Sequence, residues 1–176
     1  MHSTQRHKVF ISFYHHDDQA YKNYIDKYLS ENIINKSVTE GEYSTDNSDE
    51  YIKRLIREDK ISDSSVVVVL VGPNTKNRKH VDWEIYAGLS ASINGNSGLV
   101  GVLLPTVPRT KNNEYFYADI PARLADNIKT GYAKCYDWDD FANNFDAIIE
   151  EAFNNRITNR TLIDNSRQQM KRNQGA

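Results

Sequence analysis

The clearest pattern along the chain is a helical one between residues 79 and 94. Apolar side chains recur there at steps of three and four residues, which is the spacing of one face of an α-helix. They are Trp83, Tyr86, Ala87, Leu89 and Ile93. Glu84 lies at the margin of this apolar face, and Gly88 follows it one turn later. The pattern therefore predicts a helix on which a carboxylate has little side-chain bulk beside it and room for a ligand.

Five short apolar runs alternate with helical patterns of this kind. The runs predict strands at residues 8–13, 33–38, 65–71, 99–104 and 132–136. Helices are expected at residues 17–29, 47–60, 79–94, 123–129 and from 139 or 140 to 152. The third run is almost continuous valine, which is typical of a parallel strand buried on both faces. The alternation predicts a flavodoxin-like α/β sandwich of three layers, with helices on both faces of a mostly parallel five-stranded sheet.

Capping residues set the expected starts of the helices. Asp17 is a suitable N-cap for the first helix. Asn47, followed by Glu50 three residues later, resembles a capping box for the second. Asp139 or Asp140 should cap one continuous helix that carries the last apolar face.

The length of the chain fits one domain with a short appendage. We expect one α/β domain at residues 1–158 and a C-terminal helix or tail at residues 159–176. The last part, residues 166–176, is polar and should be a frayed end or a tail. The polar loop at residues 105–119 is longer than most connections, so we expect it to be functional or mobile.

Composition narrows the range of partners. The 176 residues include 22 Lys and Arg against 24 Asp and Glu, a net charge of −2. This balance gives no electrostatic case for nucleic acid or an anionic membrane as a partner. No apolar run approaches the roughly 20 residues of a membrane span, and the amino terminus lacks the apolar region of a secretion signal. With Cys135 as the single cysteine no internal disulfide can form, so we expect a cytoplasmic protein.

In open parallel sheets ligands bind at the carboxyl ends of the strands, so side chains at those ends are the candidates for chemistry. No G-x-G-x-x-G or G-x-x-x-x-G-K-[ST] motif follows the first strand, which disfavours a dinucleotide cradle or a P-loop. Asp17-Asp18 resembles the acidic pair of phospho-receiver domains. Such a domain also needs an aspartate after its third strand, where this chain has Val71-Gly72. A receiver domain is therefore disfavoured.

A metal-dependent hydrolase is one alternative. His80 and Glu84 are four residues apart and would share one face of a helix. His15, His16 and Asp17 could join them from the end of the first strand. Against this, His80 falls at or before the expected helix start, and adjacent histidines point in different directions. The plainest interpretation of Glu84 is a first-turn acid that the helix dipole favours.

Cleavage of a glycosidic bond at one carboxylate is another alternative. A glutamate beside an open cleft can stabilise an oxocarbenium-like ribosyl cation and bind ribose hydroxyls. If the leaving group is nicotinamide, it is already cationic and needs little acid assistance. One carboxylate would then suffice, unlike the pair that ordinary glycosidases require.

Several segments together resemble one known family. VFISFYHHDD at residues 9–18 resembles the opening box of TIR domains, and Trp83-Glu84 resembles the position of the catalytic glutamate in NAD-consuming TIR domains. IPARLADN at residues 120–127 and GYAKCYDW at residues 131–138 complete an ordered set. The set is similar to the bacterial TIR-like subfamily that includes the ThsB proteins of the Thoeris antiphage system.

The resemblance implies an enzyme that cleaves NAD at the nicotinamide–ribose bond and makes a cyclic ADP-ribose isomer as a second messenger. The messenger would activate a partner effector of the ThsA type during phage infection. NAD would be the substrate, and neither a cofactor nor a metal ion is implied. Activity would be absent or weak without a phage-derived trigger, and TIR–TIR self-association is left open.

The resemblance also assigns residues to the site. Glu84 takes the role of the catalytic glutamate. The expected substrate-binding residues are Ser12, Phe13 and Tyr14 at the first strand end, Thr39 and Asp46 in the loop after the second strand, and Asp82 and Trp83 beside the carboxylate. That loop lacks the arginine and the proline-glycine signature of receptor TIR domains, so receptor-style adaptor contacts are not expected.

Other interpretations of the same residues stay open. Trp83 is a large aromatic and more typical of packing than of a nicotinamide platform. Tyr14 could close the sheet or stack on a ligand, and Cys135 is most simply a small buried apolar residue. The protein could also be a hydrolytic NADase, if water captures the ribosyl cation. The alternative from another class is a TIR-like module that binds a nucleotide or a protein without chemistry.

Overall fold

The computed structural model describes residues 6–36, 43, 46–90 and 95–175, and its centre is a five-stranded sheet in the order β2-β1-β3-β4-β5. The strands are β1 (His7–Ser12), β2 (Ile33–Lys36), β3 (Val66–Val71), β4 (Gly98–Leu103) and β5 (Lys134–Asp137). All four neighbouring pairs run parallel. The predicted flavodoxin-like sheet is therefore confirmed, as an all-parallel one.

The central position of β3 in the sheet is consistent with its composition, which is entirely apolar. Every residue of Val66–Val71 is buried. Val66 pairs with Val9 of β1 on one side and with Gly98 of β4 on the other. A strand with sheet neighbours at both edges and helices on both faces has no solvent side, so its apolar residues do not alternate with polar ones.

Six α-helices of the described residues cover the two faces of the sheet. They are α1 (His15–Tyr24), α2 (Asp49–Leu55), α3 (Lys79–Leu89), α4 (Ala122–Thr130), α5 (Trp138–Asn143) and α6 (Phe145–Thr158). Wider π-type turns, Ile25–Leu29 and Ile56–Ile61, extend α1 and α2. Helices α2, α3 and α4 pack on one face, and α1, α5 and α6 pack on the other. No helix in the described ranges is long and apolar enough to cross a membrane.

The predicted cap of α1 is wrong. The helix begins at His15, because the chain turns into it directly after β1. The N–H groups of Asp17 and Asp18 both donate to the carbonyl of Tyr14, at 3.2 and 2.9 Å. Asp17 thus lies inside the first turn, where its carboxylate accepts a hydrogen bond from Asn74 Nδ2 at 2.8 Å.

Other helix boundaries also differ from the prediction: α3 ends at Leu89 rather than at residue 94, and α5 begins at Trp138, before the predicted caps Asp139 and Asp140. Ser48, rather than Asn47, caps α2, because its Oγ accepts the N–H of Tyr51 at 3.2 Å. The expected last helix is interrupted at Asn144 and forms α5 and α6. The backbone N–H and the side-chain Nδ2 of Asn144 both donate to the carbonyl of Asp140, at 3.1 and 3.0 Å, which ends α5.

The long loop at residues 105–119 folds back on the domain. Arg109 donates to Asp137 Oδ1 at 2.5 Å, which ties the loop to the end of β5. Lys76 donates to Asp119 Oδ1 at 2.5 Å, which ties the end of the loop to the turn before α3.

The C-terminal segment, residues 159–175, is docked on the domain. Asp164 N–H donates to Asn127 Oδ1 at 2.9 Å, and Asn127 Nδ2 donates to the Asp164 carbonyl at 2.8 Å. Arg167 makes two contacts with the carboxylate of Asp126, at 2.8 and 2.9 Å. The expectation of a frayed end is wrong for residues 166–175, because hydrogen bonds hold this segment and a hydrophobic pattern does not reveal them.

Candidate active site

The side chain of Glu84 is buried where α3 passes the carboxyl end of β1. Ser12, the last residue of β1, donates its hydroxyl to Glu84 Oε1 at 3.1 Å. Tyr43 donates its hydroxyl to Glu84 Oε2 at 3.5 Å, which is a long hydrogen bond. Glu84 is 4% exposed and Ser12 is fully buried. Each carboxyl oxygen therefore has one hydroxyl partner in place of bulk water.

The pKa of Glu84 reflects this burial. Burial raises it from 4.5 to about 8, and the hydrogen bonds from Ser12 and Tyr43 offset the increase only in part. No Lys, Arg or His of the described residues contributes to lowering this pKa. Burial penalises the charged form and no cation compensates, so the side chain is mostly protonated at neutral pH. A strongly perturbed carboxyl of this kind is typical of a functional site.

The room that was expected beside Glu84 has a different explanation. Gly88 is buried against β3, and a Cβ at this position would lie 2.8 Å from Val67 Cγ2. Glycine is needed there for α3 to approach the sheet. The prediction that Gly88 leaves space for a ligand is therefore wrong. Residues 91–94, at the end of the predicted helix, lie outside the described residues.

An aromatic pair lies beside the first turn of α3. The ring of His80 meets that of Tyr43 edge-on, with centroids 4.8 Å apart. Burial, and then the charges of Lys79 and Arg78, lowers the pKa of His80 to about 4, so its imidazole is neutral at physiological pH. No three His, Cys, Asp or Glu side chains of the described residues come together as metal ligands. The metal-hydrolase alternative has no ligand set in that part of the chain.

Phe13 and Tyr14 leave the end of β1 for different surroundings. Phe13 is buried in the core on the α1 face of the sheet, and its ring stacks on that of His15 with centroids 4.2 Å apart. The guanidinium of Arg78 lies 4.4 Å from the centroid of the Tyr14 ring. Phe13 is thus a packing residue here, whereas Tyr14 borders the start of α3.

Asp82 and Trp83 are turned toward other partners. Asp82 lies about 200° around α3 from Glu84. Its Oδ1 accepts from Arg123 Nε at 2.8 Å, and its Oδ2 accepts the N–H of Met170 at 2.8 Å. Trp83 is 1% exposed and donates its Nε1–H to the Met170 carbonyl at 2.8 Å. The structure does not bring these two side chains to the Glu84 carboxyl, and Trp83 fits the packing interpretation.

The loop between β2 and α2 is described only in part. Thr39 lies outside the described residues, and Asp46 is exposed shortly before α2. Tyr43 was not among the expected site residues, although it contacts Glu84. The one signal for it in the sequence was an aromatic residue within the polar loop assigned to the site.

Asp18 is a second buried carboxyl, near the end of β3. It is 1% exposed, and burial raises its pKa to about 6, with a smaller contribution from the charge of Asp17. A Cβ on Gly72 would lie 2.4 Å from Asp18 Oδ2, so the turn after β3 requires glycine to pass this side chain. The acidic pair therefore packs against the turn that leads to α3.

One comparison with known proteins gives a match. A family model described as the TIR-like domain of the Thoeris protein ThsB matches residues 10–109. The matched region runs from β1 past β4 and contains Ser12, Tyr43 and Glu84. No curated protein matches the chain. The match covers more than half of the 176 residues and includes all three groups of the Glu84 hydrogen-bond cluster.

Proposed function

The chain belongs to the ThsB TIR-like family of Thoeris antiphage defence, and from that premise we propose that it cleaves NAD at the nicotinamide–ribose bond with Glu84 as its essential carboxylate. The observation that carries the proposal is the buried Glu84 carboxyl, which has two hydroxyl partners and no compensating cation among the described residues. NAD would supply the missing positive charge through its nicotinamide ring.

Cleavage of that bond moves the positive charge onto the sugar. The electron pair of the C1′–N bond leaves with nicotinamide, which becomes neutral, and the ribosyl group becomes an oxocarbenium-like cation. An ionised Glu84 beside this carbon would stabilise the cation. Fixed electrostatic groups of this kind commonly contribute about 2.7–4 kcal/mol each to transition-state stabilisation.

Substrate binding would also ionise the carboxyl. In the free protein the pKa of Glu84 is about 8. A positive charge within about 4–6 Å favours the carboxylate and lowers such a pKa by roughly 1–3 units. The side chain would therefore become charged when the cationic substrate arrives, which spares the free protein an uncompensated buried charge.

The closed surroundings of Glu84 support a requirement for a trigger. The side chain is 4% exposed, and the Tyr43 hydroxyl contacts one of its oxygens. Because the Tyr43 hydroxyl occupies one oxygen of the carboxyl, we expect it to move when NAD binds there. We therefore extend the proposal to an opening step that a phage component or TIR–TIR self-association brings about.

The proposed product is a cyclic ADP-ribose isomer that activates a ThsA-type effector. It forms when a nucleophile of the same molecule captures the ribosyl cation and gives up its proton. Capture by water would give ADP-ribose, the product of a hydrolytic NADase. The match to the ThsB family supports the cyclic product.

A non-catalytic binding module is the second candidate function. It is favoured by the same burial, because both oxygens of Glu84 already have a hydrogen-bond partner within the fold. In that case Glu84 would be a structural residue, and the protein would act in Thoeris defence through binding alone.

The two candidates are separated by mass-resolved analysis of small molecules from cells that carry the protein, with and without phage infection. Glu84→Gln preserves the size of the side chain, and Glu114→Gln, in the exposed part of the long loop, is the matched control. We expect a cyclic ADP-ribose isomer on infection with wild-type protein and with Glu114→Gln, and none with Glu84→Gln. Protection that persists in Glu84→Gln without any product would overturn the enzymatic proposal.

A further inference from the structure

A cavity lies on the Asp82 side of α3, apart from the Glu84 carboxyl. It is an open cleft with a volume of about 550 Å³, bordered by the turn before α3, the start of α4 and the C-terminal segment. That volume is within the range of small-molecule sites, roughly 300–1,000 Å³. We call it the C-terminal cavity. Four of the side chains that line it are cationic: Lys76, Arg78, Arg167 and Lys171.

Two of these four cations are already compensated. Lys76 pairs with Asp119 at 2.5 Å, and Arg167 pairs with Asp126 at 2.8 Å. The neighbouring carboxylates largely cancel the positive charges of Lys76 and Arg167. These two side chains therefore form part of the cavity wall and contribute little to its net charge.

The other two cations form no ion pair with a carboxylate among the described residues, although the charge of Arg78 contributes to lowering the pKa of Asp17. The guanidinium of Arg78 lies over the ring of Tyr14 at 4.4 Å, which orients the group without neutralising it. Lys171 is exposed at the rim of the cavity. The one carboxylate in the wall, Asp82, is in an ion pair with Arg123 at 2.8 Å. The cavity is therefore positive, although the whole chain has a net charge of −2.

The C-terminal segment adds neutral donors to the same wall. Gln168 and Gln169 line the cavity, and their side-chain amides make no hydrogen bond within the described part of the chain. Each amide offers two N–H donors. Unpaired cations together with free N–H donors are the groups that bind phosphate oxygens.

We propose that the C-terminal cavity binds a small molecule that carries two or more phosphate charges. The concave shape and the volume suit a pyrophosphate group or a nucleoside diphosphate rather than the surface of a macromolecule. Glu84 takes no part in this site, so the proposal does not depend on NAD cleavage. Because one wall is the C-terminal segment, a bound anion should also hold that segment more firmly on the domain.

Isothermal titration calorimetry of the full chain with inorganic pyrophosphate tests the site, at fixed ionic strength set with chloride. We expect saturable binding of one pyrophosphate, and binding about tenfold weaker in the double variant Arg78→Gln/Lys171→Gln, since each lost contact to a phosphate typically accounts for a few-fold. Lys111→Gln/Arg160→Gln removes the same two charges from exposed positions outside the cavity and should bind like wild type. Glu84→Gln should also bind like wild type.

A second measurement locates the anion. Hydrogen exchange of the Met170 N–H, which donates to Asp82, should slow in wild-type protein at saturating pyrophosphate and not in the double variant. Titration with ADP identifies the source of the phosphate: tighter binding than pyrophosphate indicates a nucleotide, and equal binding indicates recognition of the phosphates alone.

Any of three results would overturn the proposal. Wild-type protein shows no saturable binding of pyrophosphate, wild type and the double variant bind it with equal affinity, or the charge-matched control is weakened as much as the double variant. If the double variant does not fold, Lys171→Gln alone replaces it, because this exposed side chain has no partner in the described residues. Unchanged affinity in that single variant would then count against the site.

Discussion

Asp82 and Glu84 are two buried carboxylates on one helix with opposite surroundings. Asp82 is 6% exposed, pairs with the fully buried guanidinium of Arg123 and accepts the N–H of Met170. Glu84 is 4% exposed and meets two hydroxyl groups. The degree of burial is the same, so the partners decide what each carboxylate does.

The difference in partners distinguishes Asp82, a carboxylate that supports the fold, from Glu84, a carboxyl that is a candidate for catalysis. A buried carboxylate with a cation and hydrogen bonds is compatible with the fold, and removing its partner is costly. A buried carboxyl without a cation weakens the fold once it ionises, so its presence requires another reason. On α3 the Asp82 side anchors the helix, and the Glu84 side is the candidate for chemistry.

The largest effect should come from breaking the structural pair. Arg123→Met leaves Asp82 buried without its cation and should lower the free energy of unfolding by about 3–5 kcal/mol. Urea denaturation measures this loss. Arg167→Met, which removes a partly exposed cation from Asp126, is the control and should cost less than about 1 kcal/mol. If both variants lose the same free energy of unfolding, the buried Asp82–Arg123 pair stabilises the fold no more than the partly exposed Asp126–Arg167 pair does.

Next in size is the effect of Glu84→Gln on turnover. We expect kcat/KM for NAD cleavage to fall by about 10²–10³, because the amide cannot provide the negative charge that stabilises the ribosyl cation. Glu114→Gln should stay within about twofold of wild type, a change equivalent to less than 1 kcal/mol. Nicotinamide release under conditions in which the wild type is active measures both rates. An unchanged rate in Glu84→Gln would remove the chemical role of this carboxyl.

A smaller effect should appear in stability as a function of pH. The folded-state pKa of Glu84 is raised from 4.5 to about 8, so the unfolded chain loses its proton first and stability falls as pH rises through this window. Asp18 acts in the same direction up to about pH 6, and His80 acts in the opposite direction between about 4 and 6.5. The interval from pH 6.5 to 8 therefore reports mainly on Glu84.

Glu84→Gln should accordingly be more stable than wild type at pH 8, by about 1–3 kcal/mol. The decline between pH 6.5 and 8 should disappear in the variant. Chemical denaturation at several pH values measures both features. A variant that is less stable than wild type at pH 8 would mean that the carboxyl supports the fold.

The smallest expected effect is on the Asp82 side. Trp83→Phe removes the donor to the Met170 carbonyl and should cost about 1–2 kcal/mol of stability. The decline in folding stability between pH 6.5 and 8 should be the same as in wild type, because the indole does not contact the Glu84 carboxyl. A variant in which that decline is lost would show that the two sides of α3 are not separate.

Elements with buried apolar faces could be predicted from the sequence. The valine run of β3 and the helical spacing along α3 follow directly from two-sided and one-sided burial. The family resemblance correctly indicated the ThsB TIR-like family. Glu84 was singled out because a carboxylate beside an apolar stripe is unusual, and the structure places it against Ser12.

Features held by polar contacts between distant residues could not be predicted in this way. Arg123 pairs with Asp82 across 41 positions of the chain, and nothing in the local pattern connects them. The C-terminal segment has a polar sequence and docks through hydrogen bonds, so no apolar pattern in the sequence indicates that it docks. Gly88 was interpreted as space for a ligand, whereas it allows close contact with Val67.

The most direct test of the account is the pKa of Glu84 itself. Carboxyl-selective ¹³C NMR of the full chain, with Glu84→Gln to assign the resonance, gives the titration midpoint of this one group. We expect a midpoint near 8, since the carboxyl is buried and has no compensating cation among the described residues. A midpoint at or below about 5 would mean that the group is solvated or paired with a cation, and the contrast between Glu84 and Asp82 would not hold.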